Sequence, residues 1–406
     1  VRVLVLNHNL REHGTYFRAW KVAQQLARAG HDVTFVTTSA TRWYRADRRV
    51  EGGITLIESP HWAPLHHPDE GWGALGLLER LRLAATRRWD FVYSFSHRPV
   101  DQVPARLARW LHGARWVCDW CDLYGGEGIN ALVRRRRGQP ITIQDFLRDG
   151  LDRWDERLER AAARDADLLT VISTDLGRRA VRLGRTRRST HLMVSGADTD
   201  AIQPLDPQAC RAELGLSAQG LLLGYIANYH PDERLLLDGF ARVAAARQDI
   251  GLVAVGPPFY GGASALRDRG IEHRVRHFGR VPFARIPVFL GAADILLVPM
   301  TDTPFNRSRW PNKIGDHLAA GRPQVAALVG DVRRFLERHD VGIGFKPTPE
   351  DFARAVLELA DDPQARARMG RAARQLAETD FAWPRLVERM MAKATGLRAT
   401  ARDSSR

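Results

Sequence analysis

Residues 293–327 read ADILLVPMTDTPFNRSRWPNKIGDHLAAGRPQVAA. The apolar run Ile295–Val298 follows Ala293-Asp294 and reads as a buried strand. A polar connection leads to a helix expected over 311–320, and Gln324–Ala327 reads as a second strand. Pro311 suits a first helical turn, where its missing N–H costs nothing, while Gly321 suits the position just past the last turn and Pro323 blocks continuation. Strand, helix, strand is the unit of a parallel sheet, and the same alternation runs through the chain.

Working outward, strands are expected at 1–6, 31–36, 91–95, 115–118 and 168–172, and again at 221–226, 251–255, 275–278 and 341–345. A helix over 15–29 would turn Tyr16, Trp20, Ala23, Leu26 and Ala27 inward before Gly30 stops it. A long helix over 143–164 would turn in Leu147, Leu151, Trp154, Leu158 and Ala161. Between the two series lies VSGADTDAIQPLDPQ, rich in turn formers, so two α/β domains meet near residue 197. ADLLTV at 166–171 echoes ADILLV at 293–298, which suggests that the two domains are alike.

The chain has 406 residues, too many for one ordinary core. Its net charge is +14, and four of its 61 basic residues are lysines: Lys21, Lys313, Lys346 and Lys393. Such a balance favours polyanions, anionic lipid surfaces or phosphorylated substrates. Most arginines are scattered along helices, with one basic cluster at Arg134–Arg137. The absence of zinc-finger spacing and of an RNA-binding aromatic signature argues against nucleic acid. No apolar run is long enough for a membrane span, and the opening strand does not read as a secretory leader. With three cysteines and no disulfide framework, a cytoplasmic location is expected, including the inner face of a membrane. Cys118-Asp-Trp-Cys121 lacks the further ligands of a zinc site, and Asp198-Thr-Asp200 mimics a metal-binding pair only within the linker, so no metal is expected.

Lys313 opens the helix expected over 311–320, where the positive end of the dipole disfavours a cation. An anion such as a diphosphate on that helix end would resolve the conflict. Asp316, one turn on, would then face ribose hydroxyls. The alternative is a surface Lys–Asp pair worth about 0.3 kcal/mol.

Five segments in order resemble a GT-B fold glycosyltransferase, close to the retaining GT4 family: residues 13–37, 165–173, 194–204, 277–300 and 311–326. The resemblance implies two Rossmann-like domains facing a central cleft, with an acceptor domain over 1–196 and a donor domain over 197–380. A helix over 381–396 would return to the first domain, ahead of a polar tail at 397–406. It also implies a nucleotide-sugar co-substrate, no other cofactor, and transfer to a glycan, lipid-linked or small-molecule hydroxyl with retention. The second of the family's two signature glutamates falls on Asp316; the first falls on Ser308, with Asn306 and Arg309 as its other candidate replacements. Lys313 and Asn312 stand in a Pro-x-Lys version of the motif. The Arg and Lys that the family carries after its first donor-domain strand are missing from GYIANYHPDER, where Asn228, His230 and Arg234 are the candidates. Val281, after Gly279, falls where the family cradles the base. Gly14 and Thr15 fall on the acceptor and diphosphate loop. Asp119, Asp122 and His97 are the candidates near the reacting sugar. A sugar-nucleotide epimerase, a phosphorylase or a non-catalytic binding homologue are the alternative readings.

Overall fold

The computed structural model describes all residues except 43, 63–70, 125–127, 129–142, 229 and 404–406, with no side-chain detail for 143–152, 155 and 398–403. The basic cluster Arg134–Arg137 and the inner positions Leu147 and Leu151 lie outside the described residues. The chain divides into two compact units, one of Val1–Val194 with Leu386–Arg406, the other of Ser195–Arg385.

The first unit is built on β1 (Arg2–Leu10), β2 (Asp32–Thr38), β3 (Asp47–Glu51), β4 (Ile54–Ser59), β5 (Phe91–Phe95), β6 (Arg115–Trp120), β7 (Leu168–Val171) and β8 (Thr190–Leu192). They form one sheet in the order β3-β4-β2-β1-β5-β6-β7-β8. All neighbours are parallel except β3, which returns antiparallel on β4. Val3, Leu4, Val5 and Leu6 of β1 are fully buried, as a central parallel strand covered by helices on both faces requires. Each such side chain contributes about 1.5–3 kcal/mol of apolar burial. β1 then runs on through Asn7, His8 and Asn9, which are also buried.

The helix Tyr16–Arg28 buries Tyr16, Ala19, Val22, Ala23 and Leu26, together with Arg18 and Gln25. Trp20 and Ala27, expected inside, are half-buried, so the inner stripe lies about one residue round from the expected one. The helix Ile143–Asp165 differs more: Trp154 is exposed, Leu158 and Ala161 are half-buried, and Glu159, Ala162 and Ala163 face inward. The reason is chemical, since the Glu159 carboxylate accepts from Trp120 Nε1 at 2.7 Å and from the Tyr124 amide at 3.2 Å.

The second unit repeats the plan with β9 (Leu221–Ile226), β10 (Ile250–Val255), β11 (Val275–His277), β12 (Ile295–Val298), β13 (Gln324–Ala327) and β14 (Gly342–Phe345). Its all-parallel order is β11-β10-β9-β12-β13-β14. The helix Lys313–Ala319 packs against the linker, where a Cβ on Gly315 would come 2.4 Å from the Gly196 carbonyl. Only glycine permits that approach. The last helix, Trp383–Asp403, passes from the second unit into the first, and Lys393 Nζ donates to the Thr190 carbonyl at 2.6 Å. Among the described residues no helix is long and apolar enough to cross a membrane.

Candidate functional site

In an open parallel sheet, ligands bind beyond the carboxyl ends of the strands where the winding direction reverses. In the second unit that point lies between β9 and β12, because β9 leads to β10 and β11 on one side and β12 starts the other. Side chains from both strands' exits converge there. Tyr225, on β9, is buried, and Lys313 Nζ sits 4.4 Å from its ring centroid. Asp232 is also buried and accepts from the Thr301 amide at 2.9 Å, Thr301 Oγ1 at 2.5 Å and Asn306 Nδ2 at 3.0 Å. Arg309 reaches within 3.9 Å of the same carboxylate.

The charges do not balance at close range. Among the described residues the Lys313 ammonium makes no hydrogen bond or ion pair, and Asp232 is largely spent on Thr301 and Asn306. Burial and the nearby Arg309 push Lys313 down to about 7, against the pull of Asp232 and Asp316. Among the described residues Asn306 Oδ1 and Arg309 Nε are buried without hydrogen-bond partners. An anion meeting Lys313 and Arg309 would relieve this crowding of like charges.

Two histidines border the site. Burial pushes His230 down to about 4, and the Lys313 and Arg280 charges act in the same direction. His230 Nε2 and His277 Nε2 both point at the Pro257 carbonyl, at 2.7 and 3.0 Å, so both must carry the proton on Nε2. Their Nδ1 atoms then accept, from Tyr225 Oη at 3.2 Å and from the Gly279 amide at 3.2 Å. This network ties the loops after β9, β10 and β11 together along one edge.

The expected donor residues divide accordingly. Lys313 and Arg309 lie at this edge, and the Asp316 charge is felt there. The helix is shorter than expected, seven residues starting at Lys313, so its end adds little and the side-chain charges carry the site. Asn312 is exposed and accepts from Ser195 Oγ at 2.6 Å. Ser308 is fully buried and donates to the Phe305 carbonyl at 2.9 Å, which directs its hydroxyl into its own turn. Asn228 is exposed, Arg234 is exposed beside Asp238, and Val281 is half-buried after Gly279. Tyr225, Asp232 and Thr301 were not anticipated. Asp232 had a signal, an acidic residue two after His230 at the exit of a buried strand.

In the first unit the reversal lies between β1 and β5. A Cβ on Gly14, which has φ +51°, would come 2.8 Å from the Asn9 side chain. The same Asn9 Oδ1 accepts from the Thr15 amide at 2.9 Å and Thr15 Oγ1 at 2.6 Å, so Thr15 is committed to shaping its loop. Asp119 is fully buried, with Arg18 Nε at 2.8 Å, Arg18 Nη2 at 3.0 Å and Thr170 Oγ1 at 2.5 Å. Its carboxylate is thus fully engaged inside the core, by a guanidinium and a hydroxyl. His97 is buried against the Tyr124 ring at 4.9 Å, and its carbonyl accepts from Gln102. Asp122 is half-buried on the loop after β6. Cys118 and Cys121 are buried free thiols; burial pushes Cys118 up to about 12 and Cys121 in the same direction, so both stay neutral.

Residues 14–196 match the family model of the glycosyl transferase 4-like domain, and residues 220–362 match that of glycosyl transferases group 1. A D-inositol 3-phosphate glycosyltransferase of Geodermatophilus obscurus is 28% identical over 255 residues, covering 58% of this chain and 54% of that protein. A GDP-mannose-dependent monoacylated alpha-(1-6)-phosphatidylinositol monomannoside mannosyltransferase of Corynebacterium glutamicum is 25% identical over 244 residues, covering 57% and 62%. The match therefore spans little more than half the length of these curated relatives. Among solved structures, sucrose-phosphate synthase from Thermosynechococcus elongatus aligns with a TM-score of 0.74 at 18% identity, covering 98% of this chain and 99% of that one. HepE from Anabaena, in complex with UDP-glucose, aligns at 0.71 and 16% identity, covering 97% and 99%. Two family models in register with the two units, and whole-chain likeness to GT-B structures, lead to one conclusion: this chain belongs to the GT-B fold glycosyltransferases of the GT4 type.

Proposed function

We propose that this protein moves a sugar from a nucleotide-sugar donor to a hydroxyl acceptor, with retention of configuration and without a catalytic metal. One observation carries the reading: the Lys313 ammonium lies 4.4 Å from the centroid of the buried Tyr225 ring, beside Arg309, with no ion-pair partner of its own among the described residues. The donor's diphosphate is the anion such a site fits. At an effective dielectric of about 20, one charge pair at 4 Å contributes about 4 kcal/mol before desolvation is subtracted. Lys313 and Arg309 would meet the charge that grows on the leaving diphosphate, the task a metal performs elsewhere. Asp316, one turn along, would accept from the ribose hydroxyls. Retention follows if the leaving phosphate takes the acceptor proton on the face it departs from, which requires positioning and no protein nucleophile.

The relatives' names concern D-inositol 3-phosphate and a phosphatidylinositol mannoside. We infer a polyol or sugar acceptor, free in solution or presented on an anionic membrane that the basic chain contacts peripherally. The donor site is tested by calorimetric titration of the full chain with UDP, GDP and ADP. Lys313→Ala should weaken the nucleotide that binds by about tenfold or more. Unchanged binding in that variant would remove the diphosphate assignment.

A further inference from the structure

The first sheet's reversal point holds a second constellation that the donor site does not use. His8, at the end of β1, places Nδ1 3.0 Å from Asp101 Oδ2 and 3.1 Å from Ser96 Oγ. Asp101 lies in the first turn of the helix Pro99–His112, and its other oxygen accepts from Arg80 Nη1 at 3.1 Å. Arg80 also donates to the Asn7 carbonyl at 2.8 Å and to Thr38 Oγ1 at 3.2 Å. Arg80 and Asp101 are fully buried, and His8 and Ser96 are 2% exposed.

Two features set this cluster apart from ordinary core packing. Ser96 has φ +130°, a conformation that costs a non-glycine residue about 1–3 kcal/mol and that persists only where the surroundings enforce it. That conformation lets Ser96 Oγ accept from the Arg98 amide at 3.1 Å while meeting His8 and Asp101. The second feature is the tautomer. Asp101 turns Oδ1 to the Arg80 guanidinium and Oδ2 to His8, so a bare Nδ1 at 3.0 Å would set lone pair against lone pair. An N–H on Nδ1 meets that oxygen, which in a singly protonated ring leaves Nε2 as an acceptor. Among the described residues Nε2 makes no hydrogen bond, and His8 stands at the carboxyl end of β1, next to the sheet's reversal point.

We infer that His8 is a ligand-binding residue whose Nε2 accepts a hydrogen bond from a hydroxyl of the sugar or polyol acceptor, with Asp101 as the positioning residue that sets its tautomer. The identity of the ligand rests on the glycosyl-transfer reading; the tautomer does not. The hydroxyl held is one that does not react, because the reacting hydroxyl gives its proton to the departing phosphate. Arg80 and Ser96 hold Asp101 and the ring in place.

The test is a long-range proton–nitrogen spectrum of the full chain labelled in histidine nitrogen, recorded without nucleotide and then with glucose or myo-inositol added. Wild type should show His8 protonated at Nδ1 and bare at Nε2, with Nε2 moving on addition of at least one polyol. Asp101→Asn, whose amide N–H faces Nδ1, should reverse the tautomer and abolish the response. Should that variant fail to fold, the wild-type spectrum still decides the tautomer. In turnover, His8→Ala should raise the acceptor KM by about tenfold or more while leaving nucleoside diphosphate Kd unchanged. A proton found on Nε2 in wild type, or a His8 signal that neither polyol moves, overturns the inference. A chain that binds no nucleoside diphosphate contradicts the donor reading alone, since both spectral readouts are taken without it.

Discussion

The two sheets end in opposite electrostatic conditions. At the carboxyl edge of the first, cations are matched inside the protein: Arg18 with Asp119, and Arg80 with Asp101. At the edge of the second, Lys313 and Arg309 face Asp232, whose oxygens are already engaged by Thr301 and Asn306. A completed buried pair fixes geometry, whereas an uncompleted one leaves charge for a ligand to satisfy. The domain with leftover positive charge is the one that fits a diphosphate. The domain with matched charges offers the His8 imidazole, suited to hydroxyls.

The largest expected effect breaks the matched side. Asp119→Ala strands the buried Arg18 guanidinium and should cost about 3–5 kcal/mol in chemical denaturation. A variant that folds as stably as wild type but loses turnover would give Asp119 a catalytic role. On the unmatched side, Asp232→Ala leaves the Thr301 hydroxyl and the Asn306 amide without their acceptor and should cost about 1–3 kcal/mol. It should also lower the Lys313 titration further, since Asp232 is one of the charges that raise it. Lys313→Ala, at about 1.4 kcal/mol of nucleotide binding, sharpens the contrast because it should not weaken the first unit.

The pH dependence is subtler, and its sign follows from linkage. Below about 7 Lys313 is protonated in both folded and unfolded chains, and the full penalty of burying the cation is present. Between about 7 and the ordinary value of 10.5 the unfolded chain binds more protons, so this residue makes stability rise with pH across that window. Nucleotide affinity runs the other way, because the diphosphate prefers the protonated amine. Calorimetry in buffers of different ionisation enthalpy should show proton uptake on binding near and above pH 7. Equal heats in all buffers would mean that Lys313 is not the partner.

Both parallel sheets were readable because strands buried on two faces announce themselves as short apolar runs between turn residues; all six strands in the second unit lie within a residue of their expected bounds at both ends. The hairpin Asp47–Glu51 with Ile54–Ser59 was not readable, because its outer strand alternates between half-buried and exposed positions and carries charge. Lys313 was legible as a cation at an unfavourable helix position. The direction of its side chain was not, because that depends on Tyr225, far away in sequence. The Arg18 partner of Asp119 was illegible for the same reason: a carboxylate at a strand exit looks alike in sequence whether it faces a ligand or Arg18. Asn7-His8-Asn9 did carry a signal, since three polar residues closing a central parallel strand must be hydrogen-bonded to be buried there. Their partners, however, lie on four other segments that only the fold brings together.

The chain has four lysines, so a spectrum of side-chain amines labelled in lysine is simple enough to follow Lys313 by itself. In the free protein its amine should titrate near 7, and a saturating nucleoside diphosphate should drive that titration upward. A Lys313 signal that titrates near 10.5 and ignores the nucleotide would contradict the account.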